Sequence, residues 1–321
     1  MFRRELSTLL LLLIVSITPR ATASEIPHFK HVKNIGVRGN GSGQFEYVED
    51  FVFAKDGRLL VTDAAHAWIQ IFDKAGNFLG RFGGLGDDRD QLEKPEGIAV
   101  DDDGNFFVAD YTTGFIKKYD PSYHWLLTFS EYGSLEGQTR KAEFMDIHDG
   151  LLYVPEAGNH RISVFDTSGR FQFVIGSPGI GLAQFDTPES AKFNSKGLLY
   201  VVDLNNDRVQ ILDKVGHLVG SFGRSGSGPG QFKSPAGIAF DKDDNVYVTE
   251  IGNNRIQIFD RAGRYLTSFG VKGTGDGQFD NAHGIIVDKS TGTIYVADTG
   301  NYRIQVFEPA NEKSNRAGIA K

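Results

Sequence analysis

The segment VTEIGNNRIQIFDRAGR (residues 248–264) decides the fold, because close relatives of it recur along the chain. Three similar copies are VPEAGNHRISVFDTSGR (154–170), VVDLNNDRVQILDKVGH (201–217) and VADTGNYRIQVFE (296–308). Two more divergent copies are VTDAAHAWIQIFD (61–73) and VADYTTGFIKKYD (108–120). One acidic residue recurs in register at separations of 46 to 48 residues: Asp63, Asp110, Glu156, Asp203, Glu250 and Asp298. A fixed period of this length across most of a chain indicates a repeat architecture.

Hydrophobic residues within each repeat alternate with a period of two, which is typical of strands. In the fifth copy the alternation predicts strands at 237–240, 246–249, 256–259 and 265–269, separated by turn sequences such as DKDD and RAG. Glycine, Asn and Asp accept the positive φ angles that such turns require. We therefore expect an all-β fold, a six-bladed β-propeller of four-stranded antiparallel blades. No Trp-Asp dipeptide closes the repeats, which argues against a WD40 propeller.

The two ends of the repeat region predict how the ring closes. Residues 28–36 read like the fourth strand of a repeat, whereas the last repeat stops after its third strand, near Glu308. We expect the N-terminal strand to join the last blade, which removes two exposed sheet edges. The propeller then spans 24–308, and 309–321 is a polar C-terminal tail.

The N-terminus has the pattern of a secretory signal peptide over residues 1–23. Met1-Phe-Arg-Arg precedes an apolar run at 9–17 and the small-residue sequence Ala21-Thr-Ala23. The alternative is a membrane anchor, but this run is far shorter than the ~20 residues needed to cross a bilayer. We expect cleavage after Ala23, a secreted or periplasmic protein, and no stable membrane insertion afterwards. The chain has no cysteine, so export would bring no disulfide.

The charge of the chain argues against nucleic-acid binding. Loss of residues 1–23 would move the formal charge from −7 to −9. A protein that binds nucleic acid needs a basic face to neutralise phosphates. We therefore expect a protein or small-molecule ligand, and no nucleic acid, as the partner.

The repeat resembles the NHL repeat in two of its segments, NHRISVFD (159–166) and GQFKSPAGIA (230–239). The resemblance extends over about residues 28–308 and implies a six-bladed propeller. It says less about activity, because this fold is used by lyases, RNA-binding modules and protein-interaction platforms. Function has to be argued from a site.

One position that varies between repeats lies just before each innermost strand, at x in Pro-x-Gly-Ile-Ala. Around the ring it is occupied by Glu49, Glu96, Glu143, Glu189, Ala236 and His283. In a propeller these residues approach the central channel, where four carboxylates would repel each other unless a cation or shared protons offset their charge. Oxygen ligands favour Ca²⁺ or Mg²⁺, and His283 would also suit Zn²⁺. The alternative is that water solvates these acids at an open channel mouth.

A second variable position follows the recurring acid on the same face of the disc. It is occupied by His66, Thr113, Asn159, Asn206, Asn253 and Asn301. Asn is typical of a tight turn here, so His66 is the departure and joins the candidate metal ligands. The recurring acid itself is predicted to accept backbone N–H bonds and to pair with third-strand arginines. Trp68 and Phe115 replace those arginines in the first two repeats, which indicates a more apolar sector.

These features support two classes of function. The first is a secreted module that binds a ligand or protein at the channel-mouth face, with a divalent cation, Ca²⁺ or Zn²⁺, as a candidate cofactor. The second is a metal-dependent hydrolase or lyase. A peptidyl-α-hydroxyglycine lyase of similar blades holds zinc with three histidines, of which only His283 has a counterpart here, and similar calcium-dependent lactonases mix Asn with Glu. No Gly-x-Ser-x-Gly, phosphate-loop or His-Glu-x-x-His motif is present.

Overall fold

A computed structural model describes residues 28–310 of the chain. The predicted signal peptide at 1–23 lies outside the described residues, as does the tail beyond residue 310. The described part contains six four-stranded antiparallel sheets, which we number as blades 1 to 6 in chain order. Their innermost strands contact one another, so the blades form a ring around a central channel. The predicted six-bladed propeller is confirmed.

In blades 1 to 5 the four strands follow one another from innermost to outermost in chain order. The strands of blades 1 to 3 are Val48–Phe53, Leu59–Asp63, Trp68–Phe72 and Phe78–Gly83; Pro95–Val100, Phe106–Asp110, Ile116–Tyr119 and Trp125–Phe129; and Asp146–His148, Leu151–Glu156, Arg161–Asp166 and Phe171–Ile175. Those of blades 4 and 5 are Pro188–Phe193, Leu199–Asp203, Arg208–Leu212 and Leu218–Phe222; and Pro235–Phe240, Val246–Glu250, Arg255–Phe259 and Tyr265–Phe269. Blade 6 has Ala282–Asp288, Thr293–Asp298 and Arg303–Pro309, and a two-residue ladder joins Val271–Lys272 to Gln278–Phe279 before it.

The N-terminal strand closes the ring. Phe29–Ile35 pairs antiparallel with Arg303–Pro309 and becomes the outermost strand of blade 6, as the sequence predicted. The last strand extends to Pro309, one residue beyond the predicted end of the propeller. Since the two termini of the ring share one sheet, opening the ring requires breaking that ladder.

Hydrophobic cores lie between neighbouring blades rather than at the centre of the disc. Six clusters are formed, one at each junction, and the closing junction joins Phe45 and Phe51 of blade 1 to Ile304 and Val306 of blade 6. Both faces of every blade are therefore buried, which explains the fully buried second strands such as Leu199–Asp203. Helical structure in residues 28–310 is limited to three short 3₁₀ turns, Ala64–His66, Leu204–Asn206 and Thr299–Asn301. None of the helices described there has the length and hydropathy needed to cross a bilayer.

The recurring acid joins each blade to the linker that leads into it. In blade 4, Asp203 accepts a hydrogen bond from the backbone N–H of Asp186 at 2.7 Å and from Arg208 Nε at 2.8 Å. The Nη atoms of Arg208 donate to the carbonyl oxygens of Ile180 and Gln184, each at 2.8 Å. Arg161, Arg255 and Arg303 make the same type of contact in blades 3, 5 and 6. The predicted scaffold role of the acid and the arginine is confirmed.

Candidate functional site

The channel mouth on one face of the disc forms a cavity of about 260 Å³. The five ionisable side chains at the position before the innermost strands all line it: Glu49, Glu96, Glu143, Glu189 and His283. As whole residues, all five are 3–8% exposed. The structure therefore brings together the residues that the repeat alignment selected. Ala236, the sixth member, is fully buried and adds no polar group.

The backbone explains why these side chains meet. A glycine follows the selected residue in three blades, and there the innermost strands approach each other too closely for any side chain. A Cβ atom on Gly97 would lie 2.0 Å from the carbonyl oxygen of Glu143, and one on Gly284 would lie 2.1 Å from that of Glu49. Blade 3 keeps the register although its first strand is short, because Ala142 bridges to Glu156 as Pro235 pairs with Glu250 in blade 5.

His283 and Glu49 form an ion pair in this cavity. The Nδ1 atom of His283 lies 2.9 Å from Oε2 of Glu49, and the two side chains are 9% and 4% exposed. Burial alone would lower the pKa of the His283 imidazole, but the carboxylates of Glu49, Glu189 and Glu96 raise it to about 9. The imidazole is therefore protonated at neutral pH and acts as an internal cation.

Lys94 supplies a second internal cation. Its Nζ atom lies 2.5 Å from Oε1 of Glu96 and 4.1 Å from the ring centroid of Tyr111. Burial and the nearby Glu49 carboxylate raise the pKa of Glu96 to about 7, against the opposing effect of Lys94. At neutral pH this carboxyl is close to its midpoint and can gain or lose a proton with little cost.

The other two carboxyls, Glu143 and Glu189, have raised pKa values that favour their protonated forms. Burial, followed by the charges of Glu189 and Glu96, raises the pKa of Glu143 well above its usual range. The protonated Glu143 carboxyl donates a hydrogen bond to Glu96. Burial also raises the pKa of Glu189 to about 7, although the charge of His283 opposes this shift. Two cations and these bound protons offset most of the negative charge that the sequence placed here.

Five further polar residues, which the repeat alignment did not select, line the cavity: Tyr47, Lys94, Tyr111, Lys141 and Thr187. Four of them lie two residues before the selected glutamates, and Tyr111 directly follows the recurring acid Asp110. Both positions vary between repeats, so a comparison of every variable position would have found them. The Nζ atom of Lys141 lies 5.5 Å from the ring centroid of Tyr111, which places it at the rim beside Lys94.

His66 lies apart from this cavity. Its Nδ1 atom is 2.7 Å from Oδ2 of Asp63 and its Nε2 atom is 2.6 Å from Oδ1 of Asn40. Its ring stacks on Trp68 with centroids 4.4 Å apart. His66 thus makes the contacts of the Asn in other blades, since Asn206 also bridges the recurring acid to a linker. The structure does not bring it to Glu49 or His283 as a shared ligand set.

Residues 28–310 contain no group of three or more His, Asp or Glu side chains arranged to hold one metal ion. Two of the candidate ligands already have partners within the protein. Nδ1 of His283 contacts Glu49, and Oε1 of Glu96 contacts Lys94. Uncompensated charge would favour a divalent cation, whereas here His283 and Lys94 already supply positive charge to the carboxylates. A Ca²⁺ or Zn²⁺ site stays a prediction for a metal titration.

The NHL repeat family model matches the chain at residues 92–119, 232–259 and 279–307. These segments run from the linker through the third strand in blades 2, 5 and 6. The chain is an NHL-repeat β-propeller. A search of curated protein sequences gave no significant match.

Solved structures share the fold of this NHL-repeat propeller at low sequence identity. A streptogramin B lyase has a TM-score of 0.62 and 13% identity, with 88% of this chain and 98% of the lyase covered. A catalytically inactive histidine-to-alanine variant of virginiamycin B lyase from Staphylococcus aureus with quinupristin has 0.61 and 15%, covering 88% and 100%. An auxiliary nutrient binding protein from Bacteroides thetaiotaomicron has 0.63 and 15%, covering 82% and 69%. At these identities the likeness shows the fold alone.

Proposed function

We propose that this NHL-repeat propeller is a binding module that takes a small ligand bearing amine or hydroxyl groups at the channel mouth. One observation carries the proposal: four carboxyls and an imidazole from five blades converge on one cavity. Its volume of about 260 Å³ is below the roughly 300–1,000 Å³ usual for drug-sized ligands. The ligand is therefore small.

The protonation states favour an amine over an anion. Glu96 and Glu189 both have a pKa of about 7, so either can release its proton when a cationic group arrives. An ammonium ligand would then donate to carboxylates in a site that excludes most water, where charge-assisted hydrogen bonds are strong. An anion would meet an excess of carboxyl groups, which argues against it.

The direct test is a screen of small amines, amino sugars and polyols against the purified protein by thermal shift, followed by calorimetry. A true amine ligand should bind more tightly at pH 8 than at pH 6, because binding requires deprotonated carboxylates. Glu189→Gln should weaken it at least about tenfold, as expected for loss of a charge-assisted contact. Glu136→Gln, on an exposed linker, is the charge-matched control and should bind like the wild type. Equal loss in both variants would overturn the proposal.

A lyase or hydrolase is the second candidate, and the acid–base set of His283, Glu96 and Glu189 favours it. Groups with a pKa near 7 can donate and accept protons at neutral pH, as general acid–base catalysis requires. Two of the fold neighbours are described as streptogramin B and virginiamycin B lyases. Streptogramin, peptidyl-α-hydroxyglycine and lactone substrates should be assayed with and without added Ca²⁺ or Zn²⁺. Turnover that His283→Gln abolishes would support an enzyme, and none on any substrate would leave the binding module.

A metal titration distinguishes a function that depends on a bound metal ion from one that does not. Metal ions compete with protons for carboxylates and imidazole, so a bound ion should raise Tm more at pH 8.5 than at pH 6. Glu96→Gln should remove this effect of Ca²⁺ or Zn²⁺. If neither ion changes Tm at either pH, the cation site is wrong and the internal ion pairs suffice.

We further propose that the protein is exported, which the residues of the N-terminus support. N-terminal sequencing of the protein from its native host should give Ser24 as the first residue. A mature chain that starts at Met1 and sediments with membranes would instead support the anchor.

A further inference from the structure

Blade 2 departs from its neighbours at the position where the other blades hold a guanidinium group. In blades 3 to 6 an arginine lies five residues after the recurring acid: Arg161, Arg208, Arg255 and Arg303. Each donates through Nε to the acid, at 2.5–2.8 Å. Each also donates through Nη2 to a linker carbonyl, at 2.8–3.3 Å. Blade 2 has Phe115 at this position.

Blade 1 lacks the arginine as well, yet a guanidinium is still present there. Trp68 occupies the arginine position, and the guanidinium carbon of Arg81 lies 3.5 Å from its ring centroid. Arg81 sits across from Gln70 on the neighbouring strand. The corresponding residue in blade 2, across from Lys117, is Thr128. Blade 2 therefore has neither the arginine nor the substitute that blade 1 uses.

An open cavity of about 450 Å³ lies at this place in blade 2. Its walls include Phe115, Asp87, Glu93 and the recurring acid Asp110. Phe115 is 37% exposed, so its ring is accessible from the cavity. In blade 4, Nη1 of Arg208 donates a hydrogen bond to the carbonyl oxygen of Ile180. Asp87 occupies the same position in the linker of blade 2.

Lys117 occupies only part of the space that the arginine side chain fills in blades 3 to 6. It replaces the glutamine found two residues after the arginine in blades 4 to 6, and its Nζ atom donates to the carbonyl oxygens of Gln91 and Asp88. These carbonyls correspond to those that Arg208 Nη2 contacts in blade 4, at Gln184 and Gly181. Three of the ten lining residues are acidic and Lys117 is the one base among them, so the cavity keeps an excess of negative charge.

We propose that this cavity binds the guanidinium group of an arginine supplied from outside the chain. The carboxylates of Asp87 and Glu93 would pair with it, and the face of Phe115 would stack on it, as Trp68 does with Arg81. Planar guanidinium matches carboxylate and aromatic surfaces together, which a lysine ammonium does less well. This site is separate from the channel mouth and does not depend on the function proposed for it.

The sequences of blades 4 to 6 indicate which variant of blade 2 tests this proposal. The double substitution Phe115→Arg with Lys117→Gln gives blade 2 the residues of blades 4 to 6, so the protein would hold its own guanidinium in the cavity. We expect this variant to fold with an unchanged or higher Tm and to lose binding of the probe. Phe115→Ala keeps the cavity open but removes the ring, and should weaken binding several-fold, by about the value of one cation–π contact.

The probe is N-acetyl-arginine amide, titrated by calorimetry or NMR, with free arginine and N-acetyl-lysine amide in parallel. Saturable binding of the arginine amide, at least about fivefold tighter than the lysine amide, is expected for a site selective for guanidinium. Tighter binding of the blocked amide than of free arginine would identify a peptide side chain as the source, and the reverse would identify the free amino acid. No binding by the wild type, or equal binding by the double variant, would overturn the proposal.

Discussion

Glu49 of blade 1 and His283 of blade 6 form an ion pair across the junction that closes the ring, with 2.9 Å between Oε2 and Nδ1. His283 lies on the innermost strand of blade 6, and the N-terminal and C-terminal strands that share this blade form its outer half. The ion pair joins the first and last blades on the channel side, while the ladder from Phe29 to Ile35 joins them at the rim. The candidate site and the closure of the fold thus depend on one junction.

The first prediction is that stability falls as pH rises from about 5 to 9. The pKa of His283 rises from 6.5 to about 9 on folding, so its contribution is complete below pH 6.5 and is lost as pH rises through 9. The pKa values of Glu96 and Glu189 rise from 4.5 to about 7, so their protonated forms favour the folded state and that benefit is lost between pH 4.5 and 7. Urea unfolding across this range should show both losses.

The matched variants for this pH profile are His283→Gln and Glu189→Gln. Each should flatten the slope in its own range, above pH 6.5 for the histidine and between pH 4.5 and 7 for the glutamate. The exposed pair of His217 with Asp213, where the histidine side chain is 82% exposed, provides a control. His217→Gln should leave the profile above pH 7 unchanged, and a flat wild-type profile would contradict the charge assignment.

The second prediction contrasts two buried glutamates. Glu143 is protonated and donates to Glu96, so Glu143→Gln replaces one neutral donor with another. We expect the free energy of unfolding at pH 7 to change by less than about 1 kcal/mol. Glu156 instead pairs with Arg161 at 2.8 Å, and Glu156→Gln should cost about 3 kcal/mol or more, because it leaves a largely buried guanidinium without its charge partner. Similar losses for both variants would show that Glu143 is ionised.

The third prediction concerns the closing strand. Ile35 is 2% exposed and packs into the core between blades 6 and 1. Ile35→Ala should destabilise the protein by roughly 2–5 kcal/mol, the cost of removing a large aliphatic side chain from a core. Val32 lies on the same strand but is 40% exposed, and Val32→Ala should change stability by less than about 1 kcal/mol. Equal effects, measured by urea unfolding, would mean that the strand does not close the ring as described.

The fourth prediction separates the scaffold arginines from surface ones. Arg255 donates to Glu250 at 2.5 Å and to the Ser227 and Gln231 carbonyls, and it ties the linker to blade 5. Arg255→Ala should cost about 3–5 kcal/mol, because it leaves the buried Glu250 carboxylate unpaired. Arg264 pairs with Asp260 on the surface, with its side chain 83% exposed, and Arg264→Ala should cost less than about 1 kcal/mol. Chemical denaturation of both variants checks the difference.

Much of the fold could be predicted because the same pattern of strands and turns recurs in six repeats. Period-two alternation between turn sequences located the four strands of blade 5 to within two residues, at Pro235–Phe240, Val246–Glu250, Arg255–Phe259 and Tyr265–Phe269. The incomplete last repeat predicted that Phe29–Ile35 would complete blade 6. Repetition also separated the scaffold pair, such as Asp203 with Arg208, from positions free to vary.

The sequence by itself determined the propeller, its closure and the repeat position that brings four glutamates and His283 to the channel mouth, because these follow from periodicity and register. Only the tertiary structure decided how the charges there are balanced. Lys94 lies only two residues before Glu96, but the sequence does not show that its Nζ atom contacts Oε1 of Glu96 at 2.5 Å and the Tyr111 ring at 4.1 Å. His283 and Glu49, two of the candidate metal ligands, are buried and lie 2.9 Å apart as an ion pair, which the sequence did not predict. Spacing along a chain predicts which side chains share a face, whereas protonation depends on desolvation and on neighbours that folding alone brings together.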